Sequence, residues 1–286
     1  MASKVAGVGL STVNEVTQEY YDSSDADTFY RLLWGGEDIH IGLYDTPDED
    51  VFTASRRTVE HMCNHLDGVL TAASCILDMG SGYGGGARSL TQRFNCKVTA
   101  LNISEIQNAY ARELTERAGL ADQVEVVWGN FENMPFEDET FDLVWSMDAM
   151  LHSGNRAKVV AEVARVLRPG GRFLFTDILQ AEDATREELT PVLERIHLDT
   201  MGSWSFYKET TGRVGFSPWV SEDHSLQLPT HYGRVLEELE KRWNSLLGPV
   251  SETYMENACK GLKHWIEAGQ NGQLAWGIQG YAKNSM

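Results

Sequence analysis

The run Ile76-Leu77-Asp78-Met79-Gly80-Ser81-Gly82-Tyr83-Gly84-Gly85-Gly86 constrains the fold of this chain more than any other segment. Cys75 to Met79 is a short apolar stretch that reads as a buried strand, and Gly84 to Phe94 reads as a helix. Between them, glycines at 80 and 82 let the backbone turn sharply and let a ligand approach where side chains would clash. Strand, glycine turn and helix in this order open a nucleotide-binding α/β fold, with the ligand above the carboxyl ends of the strands.

The glycines do not choose the ligand, since GSGYGG places a glycine at the last position of a GxGxxG pattern. Asp78, two residues before the first glycine, narrows the choice. A dinucleotide site usually leaves that position apolar, because an anion there repels the pyrophosphate on the helix N-terminus. A carboxylate suits a ligand with a cationic amino-acid end. The pattern resembles the first motif of class I methyltransferases that use S-adenosylmethionine (SAM), which implies Asp78 near the methionine moiety.

From about 74 to 177, strands alternate with helices: Cys75–Met79, Val98–Asn102, helix Glu105–Gly119, Val124–Trp128, Phe141–Trp145, helix Asn155–Leu167 and Phe173–Thr176. Such alternation predicts a mostly parallel sheet flanked by helices, with right-handed crossovers. Pro169-Gly170-Gly171 ends the last helix. Beyond Asp177 the alternation lapses. Residues 181–213 read as an aromatic-rich helical cap over the site, and amphipathic helices follow at about 233–247 and 252–269. Leu274 to Lys283 reads as a closing strand. Residues 1–60 read as a helical lid, with helices at Val13–Tyr21 and Asp27–Trp34. The expectation is one α/β domain over 1–286: lid, SAM-binding core 74–177, substrate cap 181–213, and C-terminal helices and strand 214–286.

At 286 residues and 42% hydrophobic, the chain is long enough for one large α/β domain. Its net charge of −18 argues against nucleic acid and anionic membranes, which attract basic patches, and suits a high-salt interior. Four cysteines without CxxC or CxxH spacing disfavour a zinc site and fit a reducing cytoplasm, so no metal is expected. No apolar run predicts a signal peptide or a membrane span. Oligomeric state is not readable.

The second strand ends in Leu101-Asn102-Ile103-Ser104. Class I methyltransferases usually carry an acid here for the ribose hydroxyls; Asn102 can donate one hydrogen bond and accept another, without charge. Asn102 and Ile103 are therefore assigned to the cofactor, with Gln107 on the next helix as a further contact. A strand-end asparagine also serves simply as a turn residue. The third strand runs into Gly129-Asn130-Phe131, which resembles the family's adenine segment, with Asn130 in place of the commoner Asp. Phe131 either stacks on adenine or packs in the core. Strand four leads to Ser146-Met147-Asp148-Ala149-Met150-Leu151-His152, where Ser146 and Met147 match the positions that line the methyl-donor pocket. Asp148 and His152 are four apart, so on one helical turn a carboxylate would orient an imidazole as an acid–base pair.

The lid segments Glu19-Tyr20-Tyr21-Asp22 and WGGEDIHIG (34–42), together with LDMGSGYGG, LNIS, SMDAMLHS and Arg195-Ile196-His197-Leu198, resemble sarcosine/dimethylglycine N-methyltransferases. The likeness runs from about Tyr20 to the closing HWIEAGQNGQLAWGI. It implies SAM as methyl donor and a small amine as substrate, dimethylglycine and often sarcosine, converted to glycine betaine. By the related phosphoethanolamine methyltransferases, it also implies that Tyr20 or Tyr21 closes with Asp148 and His152 over the substrate. Aromatic faces stabilise a quaternary ammonium, so Tyr20, Tyr21, Tyr30, Trp34, Trp204 and Tyr207 are candidates for its surround. The substrate carboxylate calls for an arginine, with Arg195 first and Arg31 or Arg56 next. A phosphate-bearing or lipid acceptor is the nearest rival, and seven acids against four basic residues in 181–213 disfavour the phosphate-bearing one. A SAM-binding protein without catalysis is a second rival, and a dinucleotide oxidoreductase a third.

Overall fold

The computed structural model describes residues 12–34, 36–195 and 198–285. Seven strands form one sheet: β1 (Cys75–Met79), β2 (Lys97–Asn102), β3 (Val124–Trp128), β4 (Phe141–Met147), β5 (Leu167–Gln180), β6 (Phe216–Asp223) and β7 (Leu274–Lys283). Their order is β3-β2-β1-β4-β5-β7-β6, with β1 to β5 parallel and β7 antiparallel to both neighbours. The order reverses between β1 and β4, and a crevice opens at such a switch point above the strands' carboxyl ends. This is the expected class I methyltransferase arrangement. β1 and β4 lie inside the sheet and read as near-continuous apolar runs, as strands covered on both faces must.

The helices flanking the sheet begin on sequence-encoded caps. Ser104 accepts the amide of Gln107 to start α5 (Glu105–Arg117), and Asn155 accepts that of Lys158 to start α6 (Arg156–Val166). α4 (Gly85–Phe94) instead follows Gly84, whose φ of +76° needs no side-chain cap. One face of the sheet packs against α4 and α3 (Val51–Asn64), and the other against α6 and α8 (Trp204–Arg213).

A third apolar cluster sits over the carboxyl edge. It joins α2 (Ser24–Leu33), α7 (Arg186–Arg195), α9 (Gln227–Leu246) and α10 (Glu252–Gln270) through Phe29, Leu193, Tyr232, Leu262 and Trp265. The cap is therefore built differently from the expected 181–213 insertion. Of the helices in that span only α7 joins it, with Ala184, Leu198 and Met201 beside it, while α8 packs Trp204 and Phe206 onto the sheet face beside Phe175 and Phe216. The larger part of the cap is the α9–α10 pair, with α1 (Thr12–Tyr21) closing the front.

Two elements had no counterpart in the sequence reading. β6 carries Pro218 and charged residues, which mask a strand pattern; both are tolerated because β6 is the sheet edge, and its register shifts at Pro218. α3 continues beyond residue 60 to Asn64. α9 starts at Gln227 rather than 233, since Pro229 falls in its first turn, where a missing N–H costs nothing. No described helix is long and apolar enough to cross a membrane.

Candidate functional site

Above the switch point lies a cavity of about 590 Å³, with a narrow cleft of about 60 Å³ beside it. Thr17, Tyr21, Ile39, Asp148 and His152 line both, so the two are neighbouring compartments of one site.

The cleft gathers residues that lie far apart in sequence because each sits at a strand end, in the turn after it or at the start of the helix that follows. Gly80, Gly82, Asn102, Ile103, Gln107, Asn130, Phe131 and Met147 all line it. Gly80 and Gly82 have φ of +75° and +52°, a left-handed turn that glycine adopts without strain. Asn102 donates from Nδ2 to Gln107 Oε1 at 2.9 Å, which leaves Gln107 Nε2 buried without a hydrogen-bond partner. Asn130 Oδ1 accepts the Glu132 amide at 2.8 Å in a tight local turn, so one of its two lone pairs is committed.

Two residues assigned to the cofactor do not line either compartment. Asp78 is buried beneath the first turn of α4, where it accepts the Ala87 amide. Burial raises its pKa to about 7 against the opposing pull of that amide and of Arg88. Ser146 is fully buried and donates to the Met79 carbonyl at 2.8 Å, tying β4 to β1. Side chains alternate across a strand, so Met147 faces the cleft and Ser146 cannot.

The large cavity is walled by rings. Tyr20, Tyr21 and Tyr30 come from α1 and α2, Trp34 follows α2, and Tyr232, Tyr254 and Trp265 come from α9 and α10. Tyr20 Oη lies 3.2 Å from Tyr30 Oη and 3.1 Å from Tyr254 Oη. Burial, then the neighbouring phenols, raise the Tyr30 pKa well above the ordinary value, so this phenol stays neutral. Trp34 is buried and its indole N–H has no partner. Among the described residues lining either compartment there is no lysine or arginine.

The expected carboxylate–imidazole pairing does not form. Asp148 has φ of +46°, which ends β4 in a tight turn rather than starting a helix. Its two oxygens accept the Ile41 amide at 2.7 Å and the Trp276 indole N–H at 2.8 Å. His152, on the short 3₁₀ turn Met150–His152, instead has Nε2 2.9 Å from Tyr21 Oη. Burial, reinforced by Arg156, lowers its pKa to about 4, so the ring is neutral at pH 7. Burial also raises the Asp148 pKa, against the pull of His40 and the two donors.

The substrate residues fare unevenly. Tyr30 and Trp34 line the cavity, but Tyr207 does not: it is fully buried under the sheet and donates to Asp177 Oδ2 at 2.6 Å. Arg31 donates to Asp27 and lies over the Tyr110 ring, and Arg56 binds Asp38 and Ser89; neither lines the cavity. The side chain of Arg195, with Ile196 and His197, lies outside the described residues. The sequence reading missed Tyr232, Tyr254 and Trp265, since aromatics on an amphipathic helix carry no mark that separates cavity from core. It also passed over His40, although that residue stands inside the lid motif.

The loop carrying His40 is fastened by His231 of α9. His231 Nδ1 accepts the Gly42 amide at 3.1 Å and the Tyr44 hydroxyl at 3.0 Å. Burial first, then the charge of His40, lowers its pKa to about 3. Because the folded value lies below the unfolded value of about 6.5, the unfolded chain takes up a proton that the folded chain refuses. This contribution to stability is complete above about pH 6.5 and is lost as pH falls toward 3, at roughly 1.4 kcal/mol per pH unit. The unfolding free energy of wild type relative to His231→Gln should therefore shrink between about pH 6.5 and 4. Urea unfolding of both proteins across that range tests it, and parallel curves would refute the assignment.

The family model described as a methyltransferase domain matches residues 77–175, the segment holding β1 to β5. The sarcosine/dimethylglycine N-methyltransferase of Halorhodospira halochloris is 50% identical over 92% of this chain and 94% of its own length. The glycine/sarcosine/dimethylglycine N-methyltransferase of Actinopolyspora halophila is 48% identical over 94% of this chain, which spans only 47% of that longer relative. A crystal structure from Galdieria sulphuraria, itself assigned by inference as a sarcosine dimethylglycine methyltransferase, superposes with a TM-score of 0.89. It is 40% identical, covering 93% of this chain and all of that one.

Proposed function

The chain belongs to the sarcosine/dimethylglycine N-methyltransferase family, and we propose that it methylates dimethylglycine, and also sarcosine, with SAM as donor, giving glycine betaine as the end product. The observation that carries this reading is the cavity wall of phenol and indole rings without lysine or arginine among the described residues. A tertiary amine becomes a permanent cation during transfer, and each aromatic face contributes about 0.5–2 kcal/mol to holding it. A phosphate-bearing acceptor would need cations on that wall.

The lining of the cleft suits the donor, which would reach from it into the adjoining cavity. Two left-handed glycines leave room against the backbone, and Gln107 Nε2 on the cleft wall is a buried polar atom without a partner. When bound, SAM supplies a methyl group on a sulfonium. Asn102 and Gln107 would receive its ribose, and Asn130 and Phe131 its adenine. Ile39 packs over Gly82, so His40 beside it would meet the methionine end. α1 closes over the cleft and excludes water. It is held there by Asn14 donating to buried Glu132, and by Ser104 donating to Asp22 just past its end.

Trp34 offers its unpartnered indole N–H to the substrate carboxylate. An aliphatic amine is mostly protonated at neutral pH, so a proton must leave before the nitrogen can attack. His152, neutral and with a pKa lowered to about 4, is too weak a base to keep that proton; it accepts the Tyr21 hydroxyl hydrogen bond and holds this phenol on the wall, and the amine enters as its neutral form. Asp148 holds the wall in place through Ile41 and Trp276.

The test is methyl transfer from labelled SAM to glycine, sarcosine, dimethylglycine and phosphoethanolamine. Label in betaine from dimethylglycine is the expected result; SAM binding with no turnover on any of the four would end the proposal. Trp34→Phe should raise KM for dimethylglycine roughly tenfold or more and leave SAM affinity unchanged, as loss of one hydrogen bond to a charged group predicts. An unaltered KM would remove Trp34 from carboxylate recognition.

A further inference from the structure

On the side of the molecule formed by α3 and the edge strand β6, histidines converge on one glutamate. His61 Nε2 lies 2.7 Å from Glu222 Oε2, and His224 Nε2 lies 3.1 Å from the same oxygen. His65 Nε2 is 3.1 Å from the other oxygen, Oε1. The ligand-capable atoms of His61, Glu222 and His224 all fall within 4.8 Å of one another. The arrangement follows from two periodicities: His61 and His65 are four apart on a helix, and Glu222 and His224 are two apart along an extended segment, so each pair shares a face. None of these residues lines the cavity or the cleft.

We propose that His61, His224 and Glu222 form a binding site for a divalent transition-metal ion of the zinc class. Two imidazoles and one carboxylate are a donor set for zinc and its first-row neighbours, whereas magnesium and calcium require oxygen donors. Around a tetrahedral zinc with bonds of about 2.0–2.1 Å, ligand atoms stand about 3.3 Å apart. Both nitrogens are already this close to Oε2, and the remaining closure between them is a ring rotation. The side chains are only partly exposed, at 37% for His61, 29% for Glu222 and 27% for His224, so the ion would be held by protein with a fourth position open to water.

The position gives the ion a structural consequence. It would staple the C-terminal half of α3 to an edge strand whose register is already irregular at Pro218. The N-terminal half of α3 holds the loop bearing His40: Arg56 binds Asp38, Ser55 donates to the His40 carbonyl, and Thr58 donates to the Ile41 carbonyl.

The experiment uses the full chain without a histidine tag, stripped with chelator and dialysed against zinc. The expected result is one tightly held zinc per chain, a chelator-reversible rise in melting temperature, and visible-region absorption when cobalt(II) is substituted. His61→Ala and His224→Gln should each lose the bound metal while keeping the wild-type circular dichroism spectrum, and His264→Ala, an exposed histidine elsewhere, should retain it. No stoichiometric metal in the wild type, or equal retention in a folded His61 or His224 variant, would overturn the site and leave a hydrogen-bonded histidine–glutamate cluster.

Discussion

Gly80→Ala should weaken SAM binding about tenfold or more and lower methyl transfer at sub-saturating SAM accordingly. The residue has φ of +75°, and a Cβ placed on it would meet the Ala149 Cβ at 2.4 Å. The left-handed conformation costs a non-glycine residue about 1–2 kcal/mol. Crowding against a β-carbon that has no rotamer to yield adds about 1–3 kcal/mol. Relief requires the turn from Gly80 to Gly84 and the Asp148–His152 segment to move apart, which disrupts both walls of the cleft. If half or more of that strain is relieved only by losing the bound conformation, the dissociation constant for SAM rises at least about tenfold, at 1.4 kcal/mol per decade. Gly119→Ala is the matched control. It has φ of +70° with nothing within 4 Å of the added carbon, and it lies just past α5. That variant should lose about 1–2 kcal/mol of stability from backbone strain while keeping its SAM affinity. Calorimetric titration with SAM separates the two, and normal affinity in Gly80→Ala would refute the placement of the donor over this turn.

Asp148→Ala should lower kcat/KM by about a hundredfold or more and destabilise the fold by about 2–6 kcal/mol. Its carboxylate is the shared acceptor for the Ile41 amide and the Trp276 indole, which come from the lid loop and from β7. Removing it leaves two buried donors unpaired, at about 1–3 kcal/mol each. The loop that packs Ile39 over Gly82 then loses its attachment. Asp148→Asn tolerates the φ of +46° and keeps one acceptor, but turns an amide NH2 toward the second donor. It should therefore recover part of the stability and part of the activity. If Asp148 instead took the substrate proton, Asn and Ala would be equally inactive, and activity would not track stability. Urea unfolding and steady-state kinetics on both variants decide between a positioning residue and a base.

The core of the fold was legible because it is written in short-range periodicities. An apolar run of five before a glycine turn, then strands and helices in alternation to residue 177, leaves few ways to pack other than a parallel sheet. Once strand ends are known, the topology brings the residues after them together. For that reason Asn102, Gln107, Asn130 and Phe131 were readable as neighbours although they come from separate crossovers.

What resisted the sequence were choices between faces and between distant partners. Tyr207 and Tyr254 both sit on helices with aromatic stripes, and only the docking of α8 under the sheet and α10 over the site makes one core and the other cavity wall. Asp148 and His152 look like a pair at helical spacing, but a left-handed residue breaks the helix and Ile41 and Trp276 claim the carboxylate. His61 and Glu222 are 161 positions apart, so no local pattern announces that α3 and β6 meet. The sequence by itself determined the parallel sheet and the glycine turn, since periodicity and turn chemistry act over a few residues, and its lid and loop motifs carried the resemblance to the family. The tertiary structure alone decided which helix forms the cap, which acceptor each buried donor finds and which rings face the cavity. Those outcomes depend on burying whole faces against elements far away along the chain, and that competition is settled only when the elements pack.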